Sequence, residues 1–353
     1  MSEKRFVLLV LGGLLAVFAL FSGAVYAVDP YMLFHGPVPG LSPVINEDWK
    51  SIQNDEIYKN PGIAAFFPYD AVILGSSVTE NYRASWFDRA FGCRTVKLSY
   101  SNAKTKNFDI ILDRIYEAKG GSLKKVFLGL DTTILNNAPQ ETSYPLPDLV
   151  YNRSLWDLKE YFLNKDVYCE TAEALRLNWL NDAPAPDDAY RWEGKYRYGR
   201  DEALKNTVMP EERADMLAPD SGMKNCLANL ANITRHIEAH PETGYYIFFS
   251  PYSILYWDLV QRSGLYEQVM FNTRLAVETL LKYENVKVFY FQDEERIITD
   301  LDNYMDFIHF SAKINEYMVR AMAGGRHVLT RENYMSELRA MRKIAESFDF
   351  TQL

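Results

Sequence analysis

Asp70-Ala-Val-Ile-Leu-Gly-Ser-Ser-Val-Thr-Glu80 is the stretch that decides the fold of this 353-residue chain. A short apolar run that ends in a glycine is typical of a buried strand followed by a turn. The serines at 76 and 77 then come where the next helix begins. A strand that ends in this way holds a hydroxyl at the end of a sheet, facing the free backbone N–H groups of that helix.

Other short apolar runs of the same kind alternate with helical patterns along the chain. The predicted strands are 70–76, 94–101, 125–131, 243–250 and 285–292, and the predicted helices are about 104–118, 221–239, 262–284 and 311–323. Strands that are buried on both faces and separated by helices indicate βαβ units. The sequence therefore predicts an α/β fold with about five parallel strands, with its functional site at the carboxyl ends of those strands.

The charge balance and the cysteines exclude several classes of protein. Lys and Arg number 38 against 47 Asp and Glu, which gives a formal net charge of −9. A nucleic-acid-binding domain normally carries a basic footprint, so nucleic acid is not an expected partner. Three widely spaced cysteines exclude a disulfide-stapled scaffold and a cysteine-rich zinc site, although one disulfide with a spare thiol stays open.

An uncharged segment, Phe6–Val28, predicts a membrane anchor. Its 23 residues make roughly 34 Å of helix, enough to cross a hydrocarbon core of about 30 Å. Lys4 and Arg5 precede it and the next Lys or Arg is Lys50, which predicts a cytoplasmic N-terminus and an extracytoplasmic remainder. A cleaved signal peptide is the alternative, because residues 25–27 resemble a cleavage site.

The sequence predicts that the chain is divided into four parts. Residues 1–28 form the cytoplasmic tip and signal-anchor, and the proline-rich residues 29–64 form a connector with few helix or strand signals. Residues 65–325 form the α/β domain, and 326–353 a helical tail. Within the domain, 132–243 is far longer than an ordinary connection of about 2–6 residues, so we interpret it as an insertion that covers the carboxyl edge.

Ser77 is the first candidate for chemistry. A serine directly after a strand and at the start of a helix has the placement that an acyl-transfer nucleophile needs, with backbone N–H groups ready for an oxyanion. Ser77-x-x-Glu80 also matches a helix capping box, which requires no function. Both interpretations stay open for the serine alone.

The second candidate is Asp306-Phe-Ile-His309, which follows the last predicted strand. A separation of three residues lets the carboxylate orient the imidazole and stabilise its protonated form. His236 and His240 are spaced i, i+4 but do not match the H-E-x-x-H zinc pattern, so we interpret them as an exposed helix face. No metal and no cofactor is expected.

Taken together, the two blocks resemble those of the SGNH (GDSL-like) hydrolase superfamily. Gly75-Ser76-Ser77 is similar to the family's nucleophile block and Asp306-x-x-His309 to its final block. The layout is similar to membrane-anchored bacterial cell-envelope members, among them the D-alanine transfer proteins of teichoic acid modification. The resemblance implies a three-layer α/β/α, flavodoxin-like fold, and a catalytic triad of Ser77, His309 and Asp306.

The same resemblance assigns the oxyanion and substrate-binding positions. It implies roles for Gly75, Asn102 in the second block and Asp131 in the third, where the family has an asparagine. An ionised Asp131 cannot donate to an oxyanion, which puts that donor in doubt. Tyr252 and Trp257, after the fourth strand, are candidates for the pocket wall or for hydrophobic packing.

The predicted function is an extracytoplasmic serine esterase or O-acyltransferase that acts on acyl esters of a cell-surface glycopolymer. Its expected partners are the membrane, the acylated polymer and other proteins of a membrane complex. The main alternative is a non-catalytic glycan-binding or scaffold subunit of an envelope polysaccharide or teichoic acid machinery that keeps the fold. A phosphate-binding turn is a third interpretation, against which the absence of a P-loop lysine or G-x-G-x-x-G pattern counts.

Overall fold

The computed structural model describes residues 2–45, 55–152 and 154–352 of the chain. These residues contain six strands and fifteen α-helices. The strands are β1 Ala71–Leu74, β2 Thr95–Lys97, β3 Lys125–Gly129, β4 Gly244–Phe249, β5 Val286–Tyr290 and β6 Val328–Leu329. The helices are α1 Glu3–Val28, α2 Asp55–Phe66, α3 Ser77–Glu80, α4 Ala84–Phe91, α5 Thr105–Lys119, α6 Asp148–Tyr151, α7 Leu155–Leu163, α8 Lys165–Trp179, α9 Arg200–Lys205, α10 Met223–Ala239, α11 Ile254–Arg262, α12 Tyr266–Leu280, α13 Glu295–Ile298, α14 Ala312–Ala323 and α15 Tyr334–Ser347.

The chain divides into two compact units. The first, the anchor unit, comprises residues 1–67 and 145–189, and the second, the sheet unit, comprises 68–144 and 190–353. The predicted insertion 132–243 is therefore shared between the units, since its middle part packs with the N-terminal region. The predicted four-part division of the chain stays a prediction.

The sheet unit is built on one six-stranded sheet in the order β2-β1-β3-β4-β5-β6. Its first five strands are parallel, and β6 pairs antiparallel with β5. The predicted mixed α/β fold with a mostly parallel sheet is confirmed. The order 2-1-3-4-5 is one of the two common orders of doubly wound folds, in which ligands bind where the strand order reverses, here between β1 and β3.

Burial explains why the apolar runs form strands. All four residues of β1 are buried, and β3 and β5 are buried over most of their length. Strands covered on both faces need continuous apolar runs rather than alternation. The five runs recognised in the sequence are therefore the five parallel strands, with shorter bounds than predicted.

Two elements differ from the sequence prediction. The predicted helix 262–284 corresponds to α12, and Arg262 at its predicted start is instead the last residue of α11, a helix that was not predicted. The two helices are separated at Gly264, which adopts φ +70° and where a side chain would clash with the Asp215 carbonyl. The tail 326–353 was predicted to be helical, but it begins with β6, which has only two residues. A strand of two residues is too short to leave an alternating or apolar pattern.

The anchor unit contains α1, which is long and apolar enough to span a membrane, with a mean hydropathy of 2.5 and none of its apolar window buried. A signal sequence near an N-terminus has the same length and composition. At its end, Asp29 accepts hydrogen bonds from the backbone of Phe34 at 2.7 Å and from the Tyr161 hydroxyl at 2.9 Å. Asp29 therefore joins the end of α1 to the rest of this unit.

The connector 29–64 is more ordered than its composition indicates. Residues 55–64 lie in α2, a helix that contains Pro61, so the expectation of few helical residues is wrong for that part. Proline normally breaks a helix because it lacks an N–H and clashes with the preceding turn, which is why the sequence pattern favoured a loop. Residues 46–54 of the connector lie outside the described residues.

Candidate active site

Ser77 lies just after the turn that connects β1 to α3. It is the first residue of that short helix and is half-buried. The turn before it depends on Gly75, because a side chain there would clash with Thr79. The Thr79 hydroxyl donates to the Ser76 carbonyl at 2.7 Å, which holds the turn closed. The nucleophile candidate is thus fixed at the carboxyl end of a central strand.

The Ser77 hydroxyl lies 2.7 Å from His309 Nε2. The other ring nitrogen, Nδ1, lies 2.6 Å from Asp306 Oδ2. The structure therefore brings together three side chains from opposite ends of the domain in the order alcohol, imidazole, carboxylate. A nucleophile within hydrogen-bond reach of a base that a third group orients is the geometry of an activated serine.

The capping interpretation of Ser77 is wrong. α3 begins at Ser77 itself, its N-cap residue is Ser76, and no side chain caps the helix. The Ser77 hydroxyl instead contacts the imidazole. A capping serine would sit one position earlier, with its oxygen turned back to the helix backbone, which leaves the hydroxyl of Ser77 available for chemistry.

The loop that carries the imidazole is organised by Asp306. Its Oδ1 accepts the backbone N–H groups of Ile308 at 2.8 Å and His309 at 2.7 Å, while Oδ2 faces the ring. Burial opposes the charge of this carboxylate, but the hydrogen bonds from the imidazole and the two backbone groups lower its pKa below the ordinary value. Asp306 is therefore held ionised beside the ring that it orients.

Trp192 contacts two members of this set, which the sequence did not indicate. Its indole N–H donates to the Ser77 carbonyl at 3.1 Å, and its ring meets the His309 ring edge-on at 5.4 Å between centroids. Asn81 anchors this segment by accepting the backbone N–H groups of Trp192 at 3.2 Å and Glu193 at 2.8 Å. Trp192 lies within the predicted insertion 132–243, and no sequence motif marks it.

Asp131 ends β3 and is almost completely buried. It accepts hydrogen bonds from the hydroxyl groups of Tyr252 and Ser76. Burial raises the pKa of its carboxyl, and the two hydrogen bonds and the nearby imidazole of His309 oppose that rise in part. Two of the predicted substrate-binding residues, Asp131 and Tyr252, are therefore hydrogen-bonded to each other.

Asn102 lies in the loop after β2, the strand next to β1. It is exposed and has a left-handed backbone, with φ +53°. Its side-chain oxygen accepts from Lys104 at 3.2 Å. Trp257 is fully buried between Tyr256 and Tyr266. Tyr252 is buried as well, so both aromatic pocket candidates belong to the packed interior.

The interpretation of His236 and His240 as one exposed helix face is wrong for His236. That ring is buried and its Nε2 lies 3.2 Å from Asp109. Asp113 completes a group of three possible metal ligands in the described part of the chain. Arg235 donates to both carboxylates, and Lys106 donates to Asp109 at 2.6 Å. Two cations therefore balance the two carboxylates, and the group is explained as an ion-pair network.

The three cysteines, Cys93, Cys169 and Cys226, are all free thiols. The disulfide that the sequence left open is therefore not formed.

The Ser77 site lies beside the reversal of strand order between β1 and β3, which is where doubly wound sheets place their ligands. No protein-family model matches the chain, and no curated protein matches it. Function is therefore argued from the site itself.

Proposed function

We propose that this protein is a serine esterase or O-acyltransferase of the SGNH type, with Ser77 as nucleophile, His309 as general base and acid, and Asp306 as the orienting carboxylate. The continuous chain of short contacts through the imidazole, 2.7 Å to the serine and 2.6 Å to the aspartate, carries this proposal. The mostly parallel sheet and its strand order support the finer assignment of a three-layer α/β/α fold.

The proposed reaction has two halves. Ser77 Oγ attacks the carbonyl carbon of an acyl ester while its proton passes to His309 Nε2. The imidazolium then returns the proton to the leaving alcohol, which leaves the acyl group on Ser77. In the second half, water or an acceptor alcohol gives its proton to His309, attacks the acyl-enzyme and releases Ser77 with its proton restored.

Two backbone N–H groups are assigned to the oxyanion, those of Ser77 and Asn102. A donor aimed at the developing charge contributes a factor of about 10²–10³ to kcat. Asp131 stands where the family has a donor amide, and its contacts with Tyr252 and Ser76 give it the role of a buried support. The proposed enzyme therefore works with fewer side-chain donors than its family pattern provides.

The substrate class follows from the proposed location. Anchored by α1 with Lys4 and Arg5 on the cytoplasmic side, the sheet unit acts outside the cell membrane. Acyl esters on a surface glycopolymer are the substrate that such a tethered enzyme meets, and other proteins of the same membrane complex are its proposed partners. No cofactor enters the proposed reaction.

A serine-reactive fluorophosphonate probe tests the nucleophile. The wild-type chain is expected to become labelled, Ser77→Ala to stay unlabelled, and Ser122→Ala to label like the wild type. Ser122 is an exposed serine of the same unit whose hydroxyl donates to the Lys119 carbonyl. Equal labelling of wild type and Ser77→Ala removes Ser77 from the mechanism.

The burial of Asp131 favours a second candidate function, that of a non-catalytic glycan-binding subunit, because a buried carboxylate replaces a hydrogen-bond donor at the site. The two candidates differ in their dependence on the imidazole. His309→Ala abolishes the cellular role of an enzyme and leaves that of a binding subunit intact. Acylation of the surface polymer in complemented cells is the measurement.

A further inference from the structure

Helix α7 exposes two large apolar side chains on one face. Trp156 has 77% of its surface exposed and Leu163 has 68%. They are seven residues apart, so they lie two turns apart on the same side of the helix. Lys159 and Glu160, which are also exposed, lie between them on that face. An exposed Trp–Leu face of this kind marks a candidate contact surface.

The position of α7 within the anchor unit identifies the partner of that surface. Near the end of α7, Tyr161 and Phe162 pack on the residues that follow α1, with the Phe162 and Phe34 rings stacked at 5.7 Å. One turn into α8, the Tyr168 ring meets Phe21 of α1 edge-on at 6.2 Å. The end of α7 therefore packs on the residues that follow α1, and the start of α8 packs on the last two turns of α1.

The length of α1 places its last turn at the membrane surface. Its 26 residues make about 39 Å of helix, whereas the hydrocarbon core is about 30 Å thick. With Lys4 and Arg5 on the cytoplasmic side, a core that begins at Phe6 takes about 20 residues and ends near Val25. Val25 is fully buried by the anchor unit, so the unit is packed against α1 at the membrane surface.

The composition of the exposed face fits this depth. The Lys159 ammonium lies 5.7 Å from the centre of the Trp156 ring. Tryptophan is enriched at the boundary between headgroups and acyl chains, and lysine there buries its apolar stem while its charge stays in water. A short helix with Trp and Leu on one face and charged side chains beside them is typical of an interfacial helix.

We propose that α7 lies on the bilayer surface and inserts Trp156 and Leu163 at the boundary between headgroups and acyl chains, as a second membrane contact of the anchor unit beside α1. The inference goes beyond the ester chemistry and is independent of it. It rests on one part of the proposed function, the insertion of α1 in a membrane.

Quenching by brominated lipid tests the proposal. The full chain is reconstituted in vesicles of phosphatidylcholine, with or without bromine on the upper acyl chain, and tryptophan fluorescence is compared. We expect brominated lipid to quench part of the wild-type emission and Trp156→Phe to lose most of that quenched part. Phenylalanine keeps an apolar ring, so the fold is preserved.

The matched control is Trp179→Phe. Trp179 is 87% exposed, and it lies at the other end of α8, about 16 Å of helix beyond Tyr168. Its neighbour Asn178 is held by Ser42 rather than by α1. Trp179→Phe is expected to retain the quenching of the wild type.

The outcomes distinguish the placement of α7 on the bilayer from the insertion of α1 in it. Wild-type quenching that Trp156→Phe retains overturns the placement of α7, as does a chain that floats with the vesicles and shows no quenching. A chain that does not float with the vesicles overturns the insertion of α1, and the α7 proposal fails with it.

Discussion

At the scale of single residues, the three side chains of the site differ in how tightly the chain holds them. Ser77 is fixed by a turn that packs on Gly75, and Asp306 by two backbone N–H groups of its own loop. His309 is held between them and against the edge of Trp192. Each of these restraints can be removed by a substitution that changes few atoms.

Asp306→Asn is the first prediction. The amide keeps the shape but loses the charge that fixes the tautomer of His309, and such a change lowers kcat by about 10⁴ in a serine triad. Hydrolysis of p-nitrophenyl acetate measures the effect. Asp300→Asn, an exposed aspartate near this loop, is expected to leave kcat/KM unchanged. Equal rates for Asp306→Asn and wild type contradict the assigned role.

Trp192→Phe is the second prediction. The substitution keeps a ring beside His309 and removes the N–H that donates to the Ser77 carbonyl. A lost neutral hydrogen bond of about 0.5–1.5 kcal/mol corresponds to roughly a 2–10-fold fall in rate. Because Trp192 positions Ser77, we expect kcat to fall while KM stays constant. A change in KM alone would assign Trp192 to substrate binding.

The sequence predicted the residues of this site unevenly. Ser77 was predicted because it directly follows a predicted strand, and the Asp306–His309 pair because of its three-residue spacing in the loop after the last predicted strand. Trp192 was not, because its contact with Ser77 joins positions 115 apart and leaves no periodic signal. The pairing of Tyr252 with Asp131 was missed for the same reason, since it joins the ends of β3 and β4 in space.

At the scale of elements, two acidic side chains face each other between α15 and the loop that follows β5. Asp293, which follows β5, faces Glu337 of α15. Burial, and then the neighbouring Glu337, raises the pKa of Asp293 to about 8. The folded state therefore holds a proton that the unfolded state releases above about pH 4, and the free energy of unfolding falls as pH rises toward 8.

Glu337→Gln is the third prediction. A neutral partner lets the pKa of Asp293 fall toward its ordinary value, so the loss of stability between pH 5 and pH 8 shrinks by about 1–2 kcal/mol. Denaturant unfolding at several pH values, followed by tryptophan fluorescence, measures it. Glu316→Gln, in a surface pair with Arg320, should give a curve parallel to wild type. Parallel curves for Glu337→Gln contradict the prediction.

The elements themselves show where sequence patterns are informative. The parallel strands were recognised because full burial demands unbroken apolar runs. The helix α2 was missed because Pro61 within it is normally a sign of a break, and β6 because its two residues gain their strand conformation from pairing with β5. Elements that depend on a tertiary partner are the ones that local patterns do not predict.

At the scale of the whole molecule, the end of α1 argues that the segment is retained. Val25 is fully buried in a cluster with Tyr31, Tyr161 and Val167. Cleavage after Ala27 would remove Val25 from that cluster and leave a chain that begins at Val28. The packing therefore favours a permanent anchor over a signal peptide that is discarded.

Retention of the N-terminal segment is the fourth prediction. The intact mass of the protein recovered from membranes of expressing cells is expected to include residues 2–28. Val25→Asp, which places a charge in the apolar cluster, is expected to lower the stability of the anchor unit by several kcal/mol, whereas Val17→Ala, at an exposed position of α1, is expected to leave it unchanged. An intact mass that corresponds to a chain beginning at Val28 contradicts the prediction.

The distance along the chain between Ser77, the proposed nucleophile, and His309, its proposed base, is 232 positions and has a consequence for biosynthesis. The serine leaves the ribosome early, and the histidine follows only when most of the polypeptide has been made. A nascent chain, or a product shortened by a premature stop codon before codon 309, holds a nucleophile with no base. Such fragments are expected to be inert toward acyl esters, so hydrolytic activity arises only once synthesis is nearly finished.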